Sequence, residues 1–539
     1  MKKRLTALCA ALALVLALAA CGGTAGESAP PAASATPSPA VLPVTVKYGI
    51  SNSWDALMPY NSVSGSNYAR MVYDKIYDRL VYVHADGTLS PRAAKSWESA
   101  DGGYAIVFHL DERSAFHDGT PVTAEHWVQT FFLMTDPACP TLGRGNFAGL
   151  VGTDEDGCRL EGEPFGAEAA DPYTFKLTFK DPVIPEDFLL EKNREFYVLP
   201  THRLEGVDPA KIMEQALWLD PIGSGPCKFV SELPGSQIQL AANPKYPLGA
   251  PGFDYLVITV MDKANLLTAL IAGDLDYYAI GGSVSAEDAD VARSHGLEVL
   301  PGAVPNTFYE LMLNNETLPD ARLRRAVELA LDKELLCLQS SQGLGQVTGS
   351  YVVPTSVYAP QEKTEAAVRD LEQSEALLAE AGYDGRPFIL ACTSSRAGLA
   401  ALMQQNLAEA GIRVEIETVD SATLFAGMSD GIYDMAIASH TPNALPLWFV
   451  ESRFTQGNNL FHVADLSPYQ ALISAIRTER DQPARQVLVE ELDNLLAQER
   501  PFIPLWFSTA LHVQSPTVTG IDYPSASFSN ENVWDWVKR

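Results

Sequence analysis

The chain has 539 residues, 47% of them hydrophobic and 9% aromatic, which is ample for extensive cores and too long for one domain of ordinary size. Lys and Arg number 38 against 67 Asp and Glu, a net charge of −29, so a phosphate backbone is repelled and nucleic-acid binding is excluded. Beyond the first twenty positions no apolar stretch reaches the roughly 18 residues of a bilayer-spanning helix, so the mature chain is expected to be soluble.

The chain opens on a short cationic head, Met1-Lys2-Lys3-Arg4. Leu5 to Ala20 is almost wholly Leu, Ala and Val and runs into Leu18-Ala19-Ala20-Cys21. This is the pattern of a secretory signal with a lipobox: small residues before Cys21 fit a signal-peptidase groove, and the thiol can be acylated. Acyl chains contribute ~0.8 kcal/mol per buried CH₂, so the two or three on a lipoprotein Cys hold firmly to a membrane. Residues 1–20 are expected to be removed, leaving 35 basic against 67 acidic groups, a net −32. Cys21 is the expected lipidation site, with the protein on the outer face of the bacterial cell membrane. Residues 21–43, rich in Ala, Ser, Thr, Gly and Pro with Glu27 as the one charge, bury too little apolar area to order and read as a disordered tether. Of the seven Cys, Cys139, Cys158, Cys227, Cys337 and Cys392 remain; the odd number favours buried free thiols, with Cys139 and Cys158 the nearest pair for a disulfide.

Strand-like and helix-like segments then alternate, the pattern of an α/β fold. Tyr104 to Leu110, Tyr173 to Lys180 and Ile412 to Glu417 alternate apolar and polar residues and read as half-buried strands. Tyr255 to Met261 is a denser apolar run suited to a strand covered on both faces. Thr123 is a candidate N-cap for the helix that follows. Ala321 to Leu336 sets Leu323, Val327, Ala330 and Leu331 on one stripe of a helix, and Gln373 to Ala381 reads as a helix closed by Gly382. The stretches Pro301 to Asn306 and Pro501 to Pro504 suggest boundaries, so that two lobes share two crossing strands, a hinge.

The frameworks of catalysis are missing. There is no G-x-S-x-G and no Ser three residues before a mature Lys, and Walker, dinucleotide, H-E-x-x-H and C-x-x-C motifs are also lacking, so neither an enzyme nor a cofactor is expected. Gly223-Ser224-Gly225-Pro226 is a turn. His109, His117 and His126 fall in a strand, a turn and a helix, and no metal site is expected from them.

Ordered motifs carry a resemblance. Tyr77-Asp78-Arg79-Leu80-Val81 leads to Asp86-Gly87 and on to Pro91-Arg92-Ala93-Ala94-Lys95-Ser96-Trp97-Glu98. Phe116-His117-Asp118-Gly119-Thr120-Pro121-Val122-Thr123-Ala124-Glu125 follows, then Pro221 to Pro226, Asn243 to Tyr246, Gly273-Asp274-Leu275-Asp276, Arg325-Ala326 to Glu334, Ala381-Gly382-Tyr383, Gly411-Ile412 and Pro501 to Leu505. From about residue 45 to 520 the chain resembles the family 5 extracellular solute-binding proteins, the dipeptide, oligopeptide and nickel receptors of ABC importers. The resemblance implies a bilobal α/β fold of the periplasmic-binding-protein class II type. Lobe one would be 44–303 with an inserted subdomain at about 86–195, lobe two 304–502, and 503–539 the return to lobe one. It implies a monomer that closes on a peptide-like or other polar organic solute and hands it to a permease with its ATPase subunits. A signalling or pheromone-peptide receptor and a nickel-chelate receptor are the alternatives within the fold; a secreted hydrolase is disfavoured by the missing nucleophile frameworks.

In peptide-binding members an Asp after the strand that begins here with Tyr433-Asp434-Met435 and runs to Ala438 pairs with the peptide ammonium. This chain has His440 and Asn443 where the resemblance expects Trp and Asp, so a fixed counter-charge is missing. The expected ligand-binding residues are Ser53, Trp54 and Tyr60 on lobe one and His440, Asn443 and Trp448 on lobe two, with Tyr351 and Trp506 beside them. Aromatic walls with a few polar groups suit an organic ligand.

Overall fold

The fold lies in residues 43–539; in the computed structural model the described residues are 42–54, 56–60, 67–84, 86–279, 283–341, 343–360, 367–522 and 532–539. The signal segment, Cys21 and the tether up to residue 41 fall outside them.

Three sheets carry the architecture. The first has seven strands in the order Glu298–Pro301, Leu511–Gln514, Tyr277–Ala279, Thr45–Ile50, Tyr255–Val260, Gln237–Ala242 and Cys227–Leu233. Its centre is parallel, with Tyr48 level with Ile258 and Tyr277, and Val46, Tyr48 and Ile50 are fully buried. Tyr255–Val260 buries Leu256 and Ile258 completely but Val257 and Thr259 only in part. It is therefore covered on one face and partly on the other, where its dense apolar run suggested full cover on both. The second sheet is antiparallel, Ala94–Ala100, Ala105–Leu110, Thr174–Thr178 and Ala167–Asp171. Helix Ala124–Met134 lies on it, with Trp127 stacked on Phe175 at 5.9 Å. The third has six strands, Gly345–Val347, Phe502–Ser508, Thr307–Leu313, Met435–His440, Phe388–Cys392 and Val414–Thr418, the last three parallel.

The chain passes between the first and third sheets twice, from Pro301 to Thr307 and from Ser508 to Leu511. The second crossing lies at Thr509 and Ala510, later than the return at 503 read from the sequence. Phe502–Ser508 pairs with Thr307–Leu313 and so belongs to lobe two; the prolines at 501 and 504 mark the entry to a strand rather than a hinge.

Local signals explain most elements. Thr123 precedes the helix as expected, and His126 closes the cap by accepting the Thr123 N–H at Nδ1, 3.2 Å. Gly382 takes φ 69° after helix Leu371–Glu380, and Tyr383 N–H reaches back to the Leu378 carbonyl, so the helix ends on a left-handed glycine. The helix expected over 321–336 is two, Ala321–Ala330 and Lys333–Ser341. Leu331 is extended, and the Asp332 carboxylate accepts the Leu335 N–H at 3.0 Å, which starts a new helix in place of continuing the old one. Cys139 and Cys158 are free thiols, with the Arg144 guanidinium donating to the Cys158 Sγ and the Cys139 carbonyl.

The three histidines have separate structural partners. His109 pairs with Glu98 at 3.4 Å. His117 donates from Nε2 to the Gly225 carbonyl and accepts the Gly223 N–H at Nδ1, which fastens the Gly223–Pro226 turn; burial pushes its pKa down to about 4.

Candidate functional site

In open α/β sheets ligands lie beyond the carboxyl ends of the parallel strands. Here those ends supply the loop after Ile50 on lobe one, and Thr393–Arg396 and Thr441–Asn443 on lobe two. Two groups of expected residues sit on these loops.

On lobe one, Trp54 is buried and donates from Nε1 to Glu232 Oε1 at 2.6 Å. Ser53 is exposed, its hydroxyl donating to the Trp54 carbonyl. Tyr60 lies in the core: its hydroxyl bridges the backbone of Tyr197, donating to the carbonyl at 2.9 Å and accepting the N–H at 2.8 Å. Burial raises its pKa far above the phenol range. Tyr60 supports the wall and offers it no surface.

On lobe two the strand Met435–His440 runs antiparallel to Thr307–Leu313, with His440 opposite Phe308 and Ala438 opposite Glu310. Phe308 and Glu310 therefore share one face of the sheet. Glu310 is fully buried and accepts from His440 Nε2 at 2.6 Å; its second oxygen has no partner among the described residues. Arg453 Nη2 stands 3.1 Å from His440 Nδ1, its Nη1 donates to the Phe449 carbonyl at 2.7 Å, and its guanidinium covers the Phe449 ring at 4.2 Å. The same Nη2 stands 3.3 Å from His440 Nε2, so the guanidinium lies beside the ring near both of its nitrogens. His440 thus lies between a buried carboxylate and a guanidinium. Its ring lies near those of Phe425 and Phe449.

The neighbouring loop differs. Asn443 is exposed, its Oδ1 accepting the Leu445 N–H at 2.9 Å, which leaves its amide NH₂ facing outward. Trp448 is half-buried, edge-on to Phe308 at 5.9 Å, with its buried Nε1 unpartnered among the described residues. Tyr351 and Trp506 are core residues with no exposure: Tyr351 donates to the Pro446 carbonyl at 2.8 Å, holding the loop that carries Asn443, and Trp506 stacks on Tyr309 at 5.0 Å. Their size and aromaticity suggested a binding wall; the sheet behind the wall uses them instead.

Sequence reasoning missed Glu310, Arg453, Arg396 and Ser439. Arg396, on the loop after Phe388–Cys392, donates to the Ser439 hydroxyl and lies 5.9 Å over Tyr309. For Glu310 a signal was present: one charge inside Thr307-Phe308-Tyr309-Glu310-Leu311-Met312-Leu313, a run otherwise suited to a buried strand. For Arg453 none was, because its partner lies thirteen residues away across a loop.

Residues 88–460 match the family described as bacterial extracellular solute-binding proteins, family 5 (middle). The oligopeptide-binding protein AppA of Bacillus subtilis (strain 168) is 24% identical over 482 residues, 83% of either chain. Among solved structures, the ABC transporter substrate-binding protein CtaP from Listeria monocytogenes superposes with a TM-score of 0.77 at 20% identity, covering 92% of this chain and 99% of its own. NikZ from Campylobacter jejuni, solved with Ni(L-His), gives 0.67 at 19%, covering 92% and 100%.

Proposed function

The chain belongs to the bacterial extracellular solute-binding proteins of family 5, binding proteins of ABC transporters rather than enzymes, and from that premise we propose that it takes a peptide-like or other polar organic solute between its lobes and delivers it to a membrane permease while held to the cell surface by lipid on Cys21. One observation supports the reading above the rest: two sheets, each with three neighbouring parallel strands, are joined by two short crossings, and expected binding residues follow the carboxyl ends of parallel strands in both. A ligand held between hinged lobes favours the arrangement in which both walls touch it, and shifting that equilibrium from 1:99 to 99:1 takes a differential affinity of about 5.5 kcal/mol.

The chemistry of the lobe-two loop favours a hydrogen-bonding ligand over one that needs a fixed counter-ion. Asn443 brings an outward amide, and the one buried carboxylate nearby, Glu310, is already engaged by His440 and faces Arg453. A nickel chelate would want an open imidazole nitrogen, and the ring of His440 is hemmed in by Glu310 and Arg453, which weighs against it. The anchor rests on the lipobox alone.

A thermal-shift screen of the mature protein against peptides, opines, sugars and metal chelates tests the reading. A ligand at 100 times its Kd adds about 2.7 kcal/mol of stability. A hit that is recovered unaltered supports capture without chemistry; a hit that is consumed, or stabilisation by chelates alone, overturns the proposed ligand class.

A further inference from the structure

Among the described residues, three contacts join lobe two to the segment 86–195. Ala444, next to Asn443, lies against Gly87 so closely that a Cβ on Gly87 would come within 2.5 Å of the Ala444 Cβ. Arg480, exposed between helices Ser467–Thr478 and Gln482–Glu499, donates from Nη1 to the Gly102 carbonyl at 2.8 Å. Arg485, in the first turns of Gln482–Glu499, meets Asp187 of helix Pro185–Lys192 at 2.5 Å.

The third contact differs from an ordinary surface ion pair. The Arg485 side chain is 4% exposed and that of Asp187 22%. Lobe two already fixes the guanidinium: Nε donates to the Ile476 carbonyl at 2.9 Å, Nη1 to the Tyr358 hydroxyl at 2.8 Å, and its plane lies 4.9 Å from the Tyr358 ring centre. Only Nη2 is left to face the other element, and Asp187 meets it. Exposed pairs lose much of their attraction to side-chain entropy and solvent screening; a pre-positioned, desolvated guanidinium loses little of either and is costly to leave without its counter-charge.

We propose that Arg485 and Asp187, flanked by Arg480 on Gly102 and Ala444 on Gly87, form a clamp that fastens segment 86–195 to lobe two and sets how readily the lobes change their relative position. Arg485 and Asp187 are positioning residues: they touch no ligand but are separated whenever lobe two swings away from helix Pro185–Lys192. Every contact is protein to protein, so the inference stands whatever solute the cleft takes.

Hydrogen–deuterium exchange on the purified full chain without added solute tests it. Asp187→Asn and Asp187→Ala are expected to speed exchange about tenfold or more in peptides spanning 100–105, 184–192 and 476–486, while helix Ala397–Glu409, inside lobe two, exchanges as in the wild type. Unchanged exchange at the three segments overturns the clamp. Should a variant at Asp187 speed exchange everywhere, as a folding defect does, Arg480→Ala decides: this exposed residue is not needed for either core, and its loss must speed exchange at 100–105 and 476–486 alone. Without that local effect the proposal fails.

Discussion

Replacing Glu310 by Ala tests how the lobe-two wall is held. The carboxylate is fully buried between the Phe308 face of the sheet and His440. Its removal strips the His440 Nε2–H of its acceptor and Arg453, already desolvated, of its nearest counter-charge. Breaking one side of a buried charged pair costs about 3–5 kcal/mol; because Arg453 keeps part of its surface in water, the low end, about 3 kcal/mol, is expected. A lobe of this size moves its Tm by roughly 2–4 °C per kcal/mol, so the lobe-two transition should fall by about 6–12 °C. Glu310→Gln keeps an acceptor and should cost about half as much. The double variant Glu310→Leu with Arg453→Met removes both charges and should recover most of the loss, which a double-mutant cycle from calorimetry and urea unfolding measures. A loss under about 1 kcal/mol in Glu310→Ala, or strict additivity in the cycle, would refute the linked arrangement of Glu310, His440 and Arg453.

Asn443→Ala should weaken a ligand found by the thermal-shift screen about tenfold, as expected for an orienting hydrogen bond, and leave the Tm of the unliganded protein within a degree, since the residue is exposed; calorimetric titration measures the first and a melting curve the second. His440→Ala, in contrast, should lower the Tm as well, because it uncovers Glu310. His117 has a folded pKa of about 4 against an ordinary 6.5, so the folded state binds fewer protons than the unfolded one between those values. Its contribution is complete above pH 6.5 and is lost as the pH falls toward 4; urea midpoints at pH 7 and 4.5 should therefore converge in His117→Asn relative to wild type. Cys21→Ala should abolish incorporation of labelled fatty acid and release the protein from the membrane fraction.

The periodicities that sequence shows are local, and the structure follows them closely. The alternating runs before Leu110, Thr178 and Thr418 are strands, and Thr123 and Gly382 sit at helix ends. Backbone conformation at such places depends on neighbours a few residues away, which the chain order already contains. The break at Leu331 was legible in principle, since Asp332 is a good cap, but a continuing apolar stripe hid it.

What only tertiary structure decided is partnership across long separations. Phe502–Ser508 belongs to lobe two because it pairs with Thr307–Leu313, almost two hundred residues earlier, and no local signal reports that pairing. Tyr60, Tyr351 and Trp506 have the side chains of a binding wall, yet burial against Tyr197, Pro446 and Tyr309 makes them its support. His440 looked like an available imidazole until Glu310 and Arg453 packed against its ring. Residue type states what a group can do; the surrounding packing determines which of those capacities are already spent on the protein itself.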